Sequence, residues 1–202
     1  MTKIVGITGG IGSGKTTVSE YLKKNNFAVH ESDKIVSQMY SKPKKSFLSF
    51  LKKNVSAEAV KNNKVNKQKI TDIVFNNTKI RKNLEAYVHK QVKKSRDDFI
   101  KKNVKNKKGF VFVDIPLLFE NKLEKNFDVV LCVIAKKKTR KERVLKNKKF
   151  SKDILEKIFK SQISDLERKR KSNIIIYNNT TRKDFIFSLE KALMGLLKWE
   201  RL

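Results

Sequence analysis

The chain has 202 residues, room for one compact α/β domain with insertions, and no run of eighteen apolar residues, which excludes a membrane-spanning helix. Its net charge of +29 is uneven: residues 41 to 108 hold 21 basic against 5 acidic residues, residues 136 to 171 hold 16 against 5, and the rest is nearly neutral. Lysine outnumbers arginine 41 to 8 beside 17 asparagines, a bias that A/T-rich codons produce and that dedicated nucleic-acid sites, which favour the arginine fork, do not. The excess charge therefore reads as a solvated surface that also attracts anionic substrates, with no specific nucleic-acid partner expected. An apolar strand that begins at Lys3 leaves no room for a signal peptide, and the one cysteine, Cys132, sits in the apolar run from Val129 to Ile134 as a buried thiol. The expected compartment is reducing and cytoplasmic.

In chain order, Lys3 to Thr8 is a short apolar strand, and residues 9 to 16 read Gly-Gly-Ile-Gly-Ser-Gly-Lys-Thr. That is the phosphate-loop pattern G-x-x-x-x-G-K-[ST], and a helix follows with apolar Val18, Tyr21 and Leu22. Glycines let successive backbone N–H groups approach a polyphosphate, Lys15 adds a point charge, and the Thr16 hydroxyl can ligate Mg²⁺. Gly10, Ile11, Gly12, Ser13, Gly14, Lys15, Thr16 and Thr17 form the candidate nucleotide-binding stretch. A second strand, Phe27 to His30, runs into the polar turn Glu31-Ser32-Asp33 and a helix that Pro43 breaks. Residues 44 to 106 are helical in pattern with no convincing strand. Phe110 to Asp114 and Phe127 to Ile134 are buried strands, residues 136 to 171 a basic helical lid, and Asn173 to Tyr177 the last strand. Thr181-x-x-Asp184 resembles a capping box opening a terminal helix to about Trp199.

This alternation predicts an α/β fold, a parallel sheet flanked by helices. The expected divisions are a nucleotide-binding core (1–40, 107–135, 172–202), a helical insert (41–106) and the lid (136–171). Asp114, ending a buried strand, is the candidate Mg²⁺ carboxylate, through water. Asp33 lies at the same carboxyl edge by its position after a strand, as a catalytic group or a helix N-cap. Arg140, Arg143, Arg168 and Arg170 are lid cations able to clamp phosphates, though in so basic a segment each alone reads as solvent-facing. His30 and His89 read as ordinary half-buried histidines.

Taken together, the loop, the Asp33 turn, Asp114-Ile115-Pro116-Leu117-Leu118-Phe119-Glu120, Gln162, Arg168 and Asn178-Asn179 resemble the dephospho-CoA kinase family over essentially the whole chain. The Pro-Leu-Leu-x-Glu stretch is the specific part, since many NTPases share the loop. The resemblance implies a P-loop kinase that moves the ATP γ-phosphoryl, with Mg²⁺, to the ribose 3′-hydroxyl of dephospho-CoA, as a monomer or small homo-oligomer. It implies Asp33 as general base, Lys15 and Arg143 on the phosphates, and Asn178 at the adenine of ATP. His89, Leu117 and Arg168 fall on the substrate side, and the insert binds CoA. The sequence departs from the family at His89-Lys90, where a His-Pro pair is usual, at Asn66-Lys67-Gln68-Lys69 in place of Leu-Asp-Arg, and at Asn147, flanked by Lys146 and Lys148, in place of a lid arginine. Another small-molecule P-loop kinase, and a nucleic-acid-dependent NTPase, are the alternatives.

Overall fold

The computed structural model describes residues 1–147 and 150–198, with the Lys198 side chain excepted. Lys148 and Trp199, both singled out above, lie outside the described residues. In chain order, β1 (Lys3–Gly9) leads through the loop to α1 (Lys15–Lys24) and β2 (Ala28–Glu31). Then come α2 (Ser32–Ser41), α3 (Lys45–Asn54), the paired β3 (Val60–Lys61) and β4 (Lys64–Val65), α4 (Lys67–Asn76) and α5 (Thr78–Lys105). The remainder is β5 (Phe110–Asp114), β6 (Val129–Ile134), α6 (Lys137–Lys146), α7 (Lys152–Ser161), α8 (Asp165–Lys171), β7 (Ile174–Tyr177) and α9 (Arg182–Lys198).

Two compact units result, one of residues 1–31 with 100–202 and one of residues 32–99. In the first, five parallel strands stand in the order β2-β5-β1-β6-β7, as expected for an α/β chain. β1 is central, with Ile7 opposite Asp114 on one side and Thr8 opposite Cys132 on the other. A strand buried on both faces must be apolar throughout, and Val5, Ile7, Phe112, Val113, Leu131 and Val133 are all essentially inaccessible. The strand order reverses at β1, so the loop that follows it opens at the carboxyl edge where α/β sheets bind ligands. The Thr181/Asp184 box is reciprocal: Asp184 N–H donates to Thr181 Oγ1 at 3.2 Å and Thr181 N–H to Asp184 Oδ2 at 3.4 Å.

The second unit is built on Phe47, Leu51, Ala59, Ile70, Leu84 and Val88. Its boundary falls before the expected insert because Val36, Met39 and Tyr40 of α2 pack on that cluster. The expectation of no strand there is corrected by the β3–β4 ribbon, which turns at Asn62 (φ 51°) and Asn63 (φ 57°). Two successive left-handed residues make the tight hairpin turn that follows strand twist, and asparagine tolerates that conformation best after glycine. Asn66, inside one departure from the family, caps α4 by accepting from Lys69 N–H at 3.2 Å.

Candidate nucleotide site at the phosphate loop

The loop is set by its glycines and closed by an asparagine. Gly14 caps α1 with φ 110° and no side-chain acceptor, so the first N–H groups of the helix remain available to an anion. A Cβ there would strike Asn178 Nδ2, which instead donates to Ser13 O at 2.8 Å. Asn178 follows β7 and is itself pinned, its N–H donating to Ile134 O at 2.8 Å and its Oδ1 accepting from Arg143 Nη2 at 3.1 Å. Lys15 Nζ folds back to donate to Gly9 O at 2.7 Å and Gly10 O at 3.4 Å, keeping its charge over the loop. Ser13 Oγ and Arg143 Nη1 are buried with no hydrogen-bond partner among the described residues. Buried donors are rarely left so; Ser13 belongs to the loop itself, and Arg143 is joined to it through Asn178.

Thr16 is exposed in the first turn of α1, and Ser19, one turn further on, donates through Oγ to Asp114 Oδ2 at 2.9 Å. The donors at this end of β5 are thus a hydroxyl and a carboxylate, oxygen ligands that suit a hard divalent cation. Among the described residues no group of three His, Cys, Asp or Glu forms a cage; phosphate oxygens and water would complete the coordination.

The lid arginines differ from expectation. Arg168 is 1% exposed and Arg140 6%, although the basic run suggested solvent-facing side chains. Arg168 donates through Nη1 to Asp165 Oδ1 and through Nη2 to Glu120 Oε1, both at 3.0 Å. Arg140 Nη2 donates to the other oxygen of Asp165 at 2.9 Å, and its guanidinium lies 5.2 Å from the Phe159 ring centroid. Burial pulls the Arg140 guanidinium below its ordinary value and Asp165 opposes that pull; an arginine keeps its proton regardless. Two buried cations are tolerable because two carboxylates face them. Arg168, expected on a substrate, instead has both tines on protein. Arg143 is half-buried and Arg170 exposed.

The remaining expected residues fall as follows. Leu117 is 43% exposed in the turn after β5. In the other unit, Asp33 is exposed in the first turn of α2, so it lies inside the helix and not in a turn before it, and His89 is exposed on α5. His30, read as half-buried, is 4% exposed on β2. Cys132 is fully buried on β6, and burial pushes its thiol up to about 11. Ser19, Glu120 and Asp165 were not proposed as site residues from sequence. The one sequence signal for Asp165 was an acidic residue inside a strongly basic run.

Residues 3–184 match the dephospho-CoA kinase family. The chain belongs to that family. It is 34% identical to the dephospho-CoA kinase of Fusobacterium nucleatum across 93% of this chain and 95% of that one. It is also 34% identical to that of Oceanobacillus iheyensis across 98% of each. Among solved structures, the dephospho-CoA kinase of Campylobacter jejuni superposes with a TM-score of 0.74 at 26% identity, covering 98% of both chains. A Thermus thermophilus protein gives 0.77 at 27% identity, covering 98% of this chain and 97% of the other. No helix among the described residues is long and apolar enough to cross a membrane.

Proposed function

We propose that the chain transfers the γ-phosphoryl of ATP to the ribose 3′-hydroxyl of dephospho-CoA, giving coenzyme A and ADP in the cytoplasm. The observation that carries this reading is the joining of the loop to the family's most specific stretch. Thr8 Oγ1, one residue before the loop, donates to Pro116 O at 3.3 Å, and Glu120 at the end of that turn holds Arg168. Full-length membership of the kinase family supports it.

Phosphoryl transfer asks mainly for positioning and charge neutralisation. The N–H groups of Gly12, Gly14, Lys15 and Thr16 and the Lys15 ammonium hold the β- and γ-phosphates, with Arg143 adding charge from α6, while the Ser13 and Thr17 N–H groups keep the loop closed on Gly10 O and Gly14 O at 3.1 Å each. Asn178, already bonded to the loop, lies at the adenine end. Asp33 takes the proton of the acceptor hydroxyl, His89 and Leu117 serve the acceptor side, and the lysine-rich 32–99 unit suits a polyanionic acceptor. Thr16 and Asp114, the latter through water, would hold Mg²⁺, which when bound offsets the charge of the phosphates. Residues 136 to 171 act as the lid that excludes water, with Arg168 as its internal anchor.

The test is ADP release with dephospho-CoA beside a panel of nucleosides and nucleotides. Turnover confined to dephospho-CoA supports the proposal; preference for a nucleoside assigns the chain another acceptor.

A further inference from the structure

Glu120 ends the Pro-Leu-Leu-Phe-Glu turn, and holding Arg168 is only part of what it does. Its side chain is 15% exposed, and one oxygen, Oε1, accepts from both Arg168 Nη2 at 3.0 Å and Ile163 N–H at 3.2 Å. The residue before Ile163 is Gln162, whose Oε1 accepts from Ile11 N–H of the phosphate loop at 3.1 Å. Through Arg168 the same carboxylate also reaches Asp165 and Arg140, and a Cβ placed on Gly10 would collide with Arg140 Nη1. Two consecutive loop residues, Gly10 and Ile11, are therefore buttressed by contacts that converge on one carboxylate. A loop that binds through its own N–H groups gains affinity when its shape exists before the ligand arrives.

We propose that Glu120 is a positioning residue for nucleotide binding: by anchoring Ile163 it seats Gln162 on Ile11, and by anchoring Arg168 it keeps Arg140 against Gly10. This rests on the loop being the ATP site. Glu120→Gln keeps size and an acceptor for Ile163 but removes the charge that Arg168 faces, and Gln162→Ala cuts the link at its other end.

The experiment measures, on the full chain, the Kd of a non-hydrolysable ATP analogue by calorimetry, with acceptor KM and melting temperature alongside. Each single variant weakens the analogue about tenfold and leaves acceptor KM within about twofold, and the double variant loses less than the product of the two singles. A folded Glu120→Gln protein with parental analogue Kd overturns the proposal, even if its melting temperature falls, as does full multiplication of the two effects. Should Glu120→Gln fail to fold, Gln162→Ala decides: parental Kd overturns, a tenfold loss supports. A parent that binds the analogue yet does not phosphorylate dephospho-CoA rejects the proposed function and leaves this inference standing.

Discussion

The phosphate loop acts through backbone, whereas the 32–99 unit presents side chains on helices. In the loop, φ angles of 74° at Gly12 and 110° at Gly14 aim the donors, and those conformations all but demand glycine. Such a site is written into composition, because five of the seven glycines lie between Gly6 and Gly14. Asp33 and His89 in the other unit are exposed residues on amphipathic helices, and nothing local separates them from the solvated lysines around them. Backbone-built sites can therefore be read from one sequence by physics, while side-chain sites on helices are read by resemblance.

The largest effect that would sharpen this contrast is at Lys15. Lys15→Ala removes the loop's point charge and should cut turnover by roughly 10³ to 10⁵ with the melting temperature unchanged. Turnover within about tenfold of the parent would break the assignment. Asp33→Asn tests the helical unit. As general base its loss costs roughly 10² to 10⁴ in turnover with nucleotide affinity preserved, whereas a residue that merely favours the helix N-terminus leaves turnover near the parent's.

A smaller effect concerns the lysine surface. Binding of a labelled DNA duplex should be weak, blind to sequence and steeply salt-dependent; nanomolar, selective binding at physiological salt would make the basic segments a nucleic-acid site. The smallest concerns Cys132. An unfolded thiol ionises near 9 and this one near 11, so below pH 9 its contribution to stability is intact, and between those values stability falls as pH rises. Alkylation at pH 8 should proceed only with unfolding; rapid labelling of the folded protein would contradict a buried thiol.

Continuous apolar runs made the five-stranded sheet legible, and the loop announced itself. What stayed hidden depends on distance or brevity. Arg168 looked solvated because its partner Glu120 lies 48 residues away, and a local charge run says nothing of such pairing. β3 and β4 have two residues each, too short for any period to show. Gln162 and Asn178 were visible only as matches to a family; their bonds to Ile11 and Ser13 supply the physical reason.

The central place of β1 has a consequence for synthesis. Its partners are β5 and β6, and Asn178 closes on Ser13 across 165 residues. A ribosome therefore releases the loop first and the groups that complete it last. Val5 and Ile7 must wait in the nascent chain for strands made more than a hundred residues later, while the 32–99 segment, contiguous and carrying its own apolar cluster, emerges whole in the interval.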